Sequence, residues 1–448
     1  MTVHPFLAHR FLERVKSADL AGRIGQVQRI LPTYIEADGP NVPLGSLCRI
    51  EASHGAGAGD TAPILAEVVS VNPGSVVLVP FEDDVRTFAG ARVEACEETD
   101  LAPVGDALLG RAVDSLGRPI DGKGAIRSRN FAPLTRTATA PLDRAPPKRI
   151  FETGIRAIDA FLTLGEGQRV GIFAASGVGK TSLMTQLAQQ ADADRCVICL
   201  VGERGREVEA LWSEALSEEA RQKTTLVAAT SDQAAAMRVR AGDYALAIAE
   251  HWCRQGLHVL LLLDSVTRLA MAMRETGLAA GEPPTLRAYT PSVFAAIPRL
   301  VERCGALKTG GAITGIMTVL SETDDIDDPI SEMLKSLLDG HIILSRPLAE
   351  RGHFPALDVP RSLSRMSRDL MEARHREDAQ SGTALLSTYE TSRTLIESGV
   401  YVAGANADID RAIQRRPALM RFLQQPASER VPFATTTGAL KSVVEGRG

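Results

Sequence analysis

The sequence predicts a multidomain chain in three parts: a β-rich leading part, a central α/β part built on a mostly parallel sheet, and a helical end. Three observations carry this reading. Short apolar runs separated by Gly, Pro and Asn turns occupy Ile24 to about Ala95. From Ile150 the texture changes, and apolar runs alternate with helical patterns. Beyond about Arg368 the pattern is mostly helical. At 448 residues the chain is well above the size at which a hydrophobic core is marginal. The boundaries expected are 1–20 for a leading helix or segment, 21–97 for the β domain, 98–367 for the α/β domain with its linker, and 368–448 for the helical domain.

Composition narrows the function classes. With 50 Lys+Arg against 55 Asp+Glu, the formal net charge of −5 argues against a wholesale nucleic-acid coat. Apolar runs such as Val259 to Leu263 fall far short of the ~20 residues a membrane span needs. Met1 to Leu20 carries Arg10, Glu13, Arg14, Lys16 and Asp19 and lacks the apolar core of a secretory signal. Six cysteines make no disulfide scaffold, so a reducing cytoplasm is the expected home. Phe6 to Leu20 reads as a short amphipathic helix, which leaves peripheral membrane contact open.

In the leading part, Val27, Ile30, Tyr34 and Ile35 run into the turn Asp38-Gly39-Pro40, and Leu47 to Ile50 precedes a Gly/Ala loop, Ser53 to Gly59. Ile64 to Val69 and Val76 to Val79 flank Asn72-Pro73-Gly74. Strands of this length and spacing indicate a small barrel or sandwich. Gly105 to Gly124 reads as a turn-rich connection, and Pro133 to Pro147, with four prolines, as an extended covering strand or hinge. The central strands are expected at Arg169 to Phe173, Cys196 to Val201, Thr224 to Ala228, Val259 to Leu263 and Ala312 to Val319. Helices are expected at Thr181 to Gln190, Glu207 to Leu216 and Ala234 to Gln255, so the sheet is covered. The helical end contributes Met371 to His375, Leu385 to Ile396, Asp408 to Phe422 and Ala439 to Val444.

The decisive segment is Ala174-Ala175-Ser176-Gly177-Val178-Gly179-Lys180-Thr181-Ser182. It differs from Gly-x-x-x-x-Gly-Lys-[Ser/Thr] only at Ala174, and it lies between a strand and a helix. In that context backbone N–H groups and a helix amino end surround a phosphate. Residues Ala175, Ser176, Gly177, Val178, Gly179, Lys180, Thr181 and Ser182 are therefore the nucleotide-binding candidates. Lys180 reaches the β- and γ-phosphates, and the Thr181 hydroxyl holds Mg²⁺. Asp264 follows five apolar residues and emerges at the carboxyl end of the sheet, where it joins the Mg²⁺ shell through water. Ser265 and Thr267 beside it are read either as γ-phosphate sensors or as helix caps.

A third strand ends in Gly202-Glu203-Arg204-Gly205-Arg206-Glu207. ATP hydrolysis needs a group that orients water in line with the γ-phosphate, and Glu203 is that candidate, with Arg204 beside it. The bland alternative makes Glu203 a surface partner of Arg204 or Arg206. Cys196 and Cys199 lie three apart in an apolar strand, face opposite sides, and read as core residues rather than metal ligands.

These motifs resemble the ATPases of bacterial type III protein export, flagellar or injectisome, and more distantly the catalytic subunits of rotary ATP synthases. The resemblance rests on Glu152-Thr153-Gly154-Ile155-Arg156-Ala157-Ile158-Asp159, the loop ending Gly179-Lys180-Thr181, Val201 to Val208, and Gly281-Glu282-Pro283-Pro284. Tyr289 to Phe294, Asp339 to Arg346 and Gly352 to Asp358 add to it. It spans roughly Ile24 to Leu423. The family implies a β-barrel, a RecA-like P-loop domain and a helical carboxy-terminal domain, assembled as a homohexameric ring with ATP and Mg²⁺ at subunit boundaries. It implies that Arg365, in Ser362-Leu363-Ser364-Arg365, enters the neighbour's site. It places the adenine near Asp339 to Arg346 and the first carboxy-terminal helices.

Expected partners are export-apparatus stalk and regulator proteins, chaperones and cargo, at the cytoplasmic face of the inner membrane. Ala175 is the unusual loop residue, since the family has glycine there; a φ above zero at that position would cost roughly 1 kcal/mol. The flagellar branch is preferred over the injectisome branch. The rivals are a rotary ion-translocating subunit and a non-hydrolysing structural ring subunit. An RNA translocase is disfavoured because Tyr34, Phe81 and Phe88 are not interleaved with basic residues.

Overall fold

The computed structural model describes residues 23–53, 62–82, 85–96, 101–135, 139–320 and 328–446. The expected helix at Phe6 to Leu20 and most of the Gly/Ala loop lie outside the described residues. The chain divides into two compact units, one holding the residues up to Asp100 together with Ala279–Gly281, the other Leu101–Leu278 and the residues from Glu282 on.

In the first unit β1 (Ile24–Ile30), β2 (Ile35–Ala37), β3 (Leu47–Ile50), β4 (Ile64–Asn72), β5 (Ser75–Pro80) and β6 (Arg92–Ala95) close into a barrel. The order is β1-β2-β5-β4-β3-β6, with antiparallel neighbours throughout. Alternation decides the inside: Ile64, Ala66 and Val68 on β4 are buried together with Val27, Ile35, Ile50 and Leu78. Closure removes the sheet edges, and the structure thus selects a barrel over a sandwich.

In the second unit β7 (Leu101–Val104) pairs with β9 (Asn130–Pro133), and β11 (Ile150–Phe151) pairs with β12 (Leu164–Gly165). The main sheet holds β8 (Arg111–Val113), β13 (Arg169–Ala174), β14 (Arg195–Glu203), β15 (Thr224–Thr230), β16 (His258–Asp264), β18 (Ala312–Leu320), β19 (Gly340–Ile343) and β20 (Leu363–Ser364). Their order is β20-β19-β13-β18-β16-β14-β15-β8, and the short β17 (Gly305–Leu307) joins β10 (Arg144–Ala145) to β18. All neighbours along the path are parallel except β20 on β19. The five central strands fall where their apolar runs predict, each extended by one to three residues. Gly105 to Gly124 is more than a connection, because Arg111–Val113 pairs with β15 as the far edge of the sheet. Three residues with one apolar pair carry too little periodicity to announce a strand.

Each central strand feeds two cores. Cys196, Ile198, Leu260, Leu262 and Ile316 pack with Leu183, Met184 and Leu187 of the Lys180–Gln190 helix and with Leu386, Leu419 and Phe422 from the helical end. Val197, Cys199, Leu261, Leu263 and Met317 face the other way, onto the Ala235–Cys253 and Pro291–Glu302 helices. This is why runs with no alternation form strands here: both faces are covered. Cys196 and Cys199 lie in opposite cores as expected, and burial pushes the Cys196 thiol up to about 12.

Helical expectations shift in two places. Glu207 to Leu216 breaks into a short helix, Gly205–Glu209, followed by a π-helical stretch, Ala210–Ala215. The expected Met371 to His375 and Leu385 to Ile396 helices join in one, Ala373–Glu397, with Met371 and Glu372 just before it; Gly382 in its polar middle does not break it, and lies where a Cβ would sit 2.8 Å from the Phe161 ring. Ala407–Leu423 and Phe433–Glu445 complete the helical end.

The motif Glu152 to Asp159 acquires a physical meaning. The buried Asp159 carboxylate accepts from Thr153 N (3.0 Å), Thr153 Oγ1 (2.7 Å) and Gly154 N (3.0 Å), which folds the chain into the Arg156–Phe161 helix. Arg156 donates to Phe422 O (2.9 Å) and pairs with Glu429 (3.1 Å), which ties that helix to the helical end. Burial raises the Asp159 carboxyl to about 7, against the pull of its three donors. Asp159→Ala leaves those donors buried without an acceptor, and we expect a loss of about 3 kcal/mol. The check is a denaturant titration followed by tryptophan fluorescence, since both tryptophans, Trp212 and Trp252, lie in this unit.

Candidate active site

β13 ends at Ala174, and the Lys180–Gln190 helix begins as the loop closes. The turn is made by glycines: Gly177 has φ 79° and Gly179 φ 92°. Among the described residues the non-glycine positions with positive φ are Arg287 and Ala288, so Ala175 carries no left-handed strain. The cost anticipated for its Cβ does not arise, and the residue packs against the core beneath the sheet instead. Val178 is buried and pins the loop, while Ser176, Gly177, Thr181 and Ser182 are exposed. Gly179 has a second reason to be glycine: an added Cβ would sit 3.2 Å from the ring of Phe354. Phe354 is 45% exposed beside the loop, an aromatic the sequence reading left without a role.

Lys180, Glu203 and Asp264 converge at the carboxyl rim. Lys180 Nζ lies 2.5 Å from Asp264 Oδ1 and 3.5 Å from Glu203 Oε1. Asp264, at the end of β16, also accepts from Thr318 Oγ1 on the adjacent β18 at 2.6 Å. Glu203 ends β14, where the pairing with β15 slips by one residue at Gly202. That bulge, with Gly202 at φ 70°, turns the Glu203 side chain toward Lys180. Arg268 lies across Gly202, donates to its carbonyl, and brings Nε to 3.3 Å from Glu203 Oε1. Glu203 is buried, and its Oε1 is ion-paired without accepting a hydrogen bond. Burial raises its pKa above the ordinary range, Asp264 adds to the rise, and Lys180 and Arg268 oppose it.

The other candidates are placed differently. Arg204 is exposed, and its carbonyl starts the next helix by accepting from Glu207 N (2.8 Å) and Val208 N (3.1 Å). It forms no ion pair with Glu203, and the guanidinium beside that carboxylate belongs to Arg268, 64 residues further on. Ser265 Oγ accepts from Arg268 N (3.3 Å) and Thr267 Oγ1 from Leu320 N (2.9 Å), so both side chains serve as caps and ties. Arg365 is exposed and follows β20, whose Ser364 pairs with Gly340 at the start of β19. Because β19 runs parallel to β13, this is the rim opposite the loop. Arg365 is therefore not brought to Lys180 of its own chain.

Between the carboxyl end of β19 and the helical end lies a cavity of about 360 Å³, lined by Ile343, Arg346, Val359, Leu386 and Leu423 and touching the loop at Ala174 and Ala175; Asp339, at the other end of β19, does not line it. Among the described residues no cluster of three or more His, Cys, Asp or Glu side chains is arranged for a metal. The Thr181 hydroxyl, exposed and without a partner among the described residues, and the Asp264 carboxylate are hard oxygen donors, the kind Mg²⁺ takes when it keeps water and phosphate oxygens as its other ligands. Among the described residues no helix is long and apolar enough to cross a membrane.

A phosphate-cradling loop at the carboxyl end of a parallel sheet, with a lysine between two buried carboxylates on neighbouring strands, defines a P-loop ATPase. Comparison with known proteins gives the branch. Residues 154–364 match the ATP synthase alpha/beta family nucleotide-binding domain, and residues 371–442 match the T3SS EscN ATPase C-terminal domain. The chain is 42% identical over 432 residues to a "Flagellum-specific ATP synthase" of Bacillus subtilis, covering 96% of this chain and 98% of that one. The assembled ATPase EscN of the enteropathogenic E. coli type III secretion system superposes with a TM-score of 0.88 at 39% identity, over 94% of this chain and all of that one. The same ATPase in complex with its central stalk EscO gives 0.85 at 38% identity, with the same coverage. The chain belongs to the family of flagellar and type III secretion ATPases, which is related to the catalytic subunits of ATP synthase.

One pH dependence follows from the raised Glu203 pKa. If the ionised carboxylate is the working form, activity falls as pH drops through a pKa above the ordinary glutamate value of about 4.3. A kcat–pH profile should show this acidic limb in the wild type. In Glu203→Gln the limb should vanish, with turnover reduced by roughly a hundredfold or more.

Proposed function

We propose that this chain hydrolyses ATP to energise bacterial flagellar or type III protein export, as a homohexameric ring whose active sites lie between subunits. The observation that carries the reading is the meeting of Lys180, Glu203 and Asp264 at one sheet rim while Arg365 stands at the other. The backbone N–H groups of the loop from Ala175 to Thr181, with Ser182 on the first helical turn, cradle the phosphates, and Lys180 leaves Asp264 to neutralise the β- and γ-oxygens. Thr181, and Asp264 through water, would hold Mg²⁺, which when bound offsets the charge of the β- and γ-phosphates. Glu203, buried and acceptor-only when ionised, holds the attacking water in line. Arg268 keeps that carboxylate aimed.

Arg365 of the next copy stabilises charge developing on the γ-phosphoryl, which makes turnover depend on assembly. Phe354, exposed beside Gly179, offers the base an aromatic face. Arg204 is left outside this set, as an exposed residue at a helix start.

Two features weigh against the rivals. The match over 371–442 to a type III secretion carboxy-terminal domain favours export over ion-translocating rotation. The buried Glu203 within reach of Lys180 favours a hydrolysing subunit over a structural one. The complex of EscN with EscO supports a stalk protein as partner here too. Regulators, chaperones and cargo complete the proposed set, with the ring at the cytoplasmic face of the inner membrane and no nucleic acid.

Specific ATPase activity measured against protein concentration tests the shared site. It should rise as the ring assembles, and Arg365→Ala should abolish the rise while leaving nucleotide binding intact. A rate independent of concentration, with an unaffected variant, rejects the shared site. Phe354→Ala should raise KM for ATP several-fold with a smaller change in kcat, as expected for the loss of about 1 kcal/mol of stacking.

A further inference from the structure

We propose that Thr318 is a positioning residue for Asp264, holding that carboxylate when Lys180 departs to the nucleotide; the inference rests on the ATPase reading above. β18 lies between β13, which delivers the loop, and β16, which delivers Asp264. Register makes Thr318 level with both: it pairs with Ile172 on β13, and its neighbour Met317 pairs with Leu263 on β16. The residue is fully buried.

Alternation along β18 sends Met317 and Val319 to one core and Ile316 to the other. Thr318 therefore shares the face of Ile316, beneath the Lys180–Gln190 helix. Packing alone would be served there by valine, which has the same shape and no hydroxyl to bury. A hydroxyl at this position is explained by its bond: Thr318 Oγ1 donates to Asp264 Oδ1 at 2.6 Å.

The same oxygen takes the Lys180 ammonium at 2.5 Å. One carboxylate oxygen thus has two partners of different mobility. Lys180 sits on a long flexible stem and is needed at the β- and γ-phosphates once ATP binds. Thr318 is β-branched, sits in mid-sheet and cannot follow. After Lys180 leaves, the Thr318 hydroxyl is the tie that keeps the Asp264 carboxylate in place, where it would accept from water held by Mg²⁺. Groups placed this way behind a metal's ligands typically change affinity or activity by 10–100-fold when removed.

The experiment compares wild type, Thr318→Val and Thr318→Ser in the full chain, by binding of a fluorescent ADP with and without Mg²⁺ and by steady-state turnover. Thr318→Val should bind the nucleotide normally without Mg²⁺ but lose about tenfold of the affinity gained on adding it, and kcat should fall by about tenfold with KM little changed. Thr318→Ser, which keeps the hydroxyl and loses the methyl, should restore both. Mg²⁺-dependent binding in Thr318→Val equal to wild type overturns the inference. So does an equal loss with and without Mg²⁺, or a Thr318→Ser variant as impaired as the valine one. A wild-type chain that binds nucleotide without turning it over refutes the ATPase reading instead, and the binding comparison still decides the role of Thr318.

Discussion

A single ammonium between two carboxylates organises this molecule's working end. Glu203 and Asp264 sit at the ends of neighbouring parallel strands, each nearly shut off from water, and their mutual repulsion is tolerable because Lys180 stands between them. Two buried like charges without a partner would cost several kcal/mol apiece after relaxation. The sheet therefore cannot present both acids at this rim unless the loop delivers its lysine to the same place. The strand order that puts β13 and β16 on either side of β18 meets that condition, and the two covered faces keep the rim dry enough for the charges to matter.

The compensation is also what makes the site responsive. Under the proposed mechanism, a phosphate arriving at the loop competes with Asp264 and Glu203 for the same ammonium, so binding redistributes charge at the ends of β14 and β16 together. Glu203 feels this most directly. Its carboxyl is pushed up by burial and held down by Lys180 and Arg268, and withdrawing either cation alters how readily it carries a proton. Arg268 and Thr318 each contact one of the two acids, Arg268 reaching Glu203 and Thr318 donating to Asp264.

The rest of the second unit supports that rim. Asp159 gathers three donors to shape the turn before the Arg156–Phe161 helix, and Arg156 fastens the helix to the carboxy-terminal bundle. Arg169, at the base of β13, pairs with Asp339 (3.0 Å) and Glu302 (2.6 Å), which locks the opposite rim. Arg365 emerges exposed beside that locked edge.

Much of this was legible in the residue order. Unbroken apolar runs named the five central strands, because a strand buried on both faces needs no alternation. The loop motif named Lys180 and Thr181, and the acids closing two of those strands named Glu203 and Asp264. Local chemistry decided these features: a φ that glycine supplies, a helix start, a strand that ends in a charge.

Tertiary structure decided what depends on which strand lies beside which. Arg268 and Thr318 are, respectively, 65 residues beyond and 54 residues beyond the acids they hold, and no spacing rule links them. Arg204 adjoins Glu203 in the chain yet is exposed and makes no ion pair with it, in keeping with the alternation of consecutive residues at a strand end. Ala175 escapes strain because the loop takes its left-handed turns at Gly177 and Gly179. Sequence carries the chemistry that neighbours along the chain impose. Partners brought together across a sheet are set by strand order and register, which only the folded chain defines.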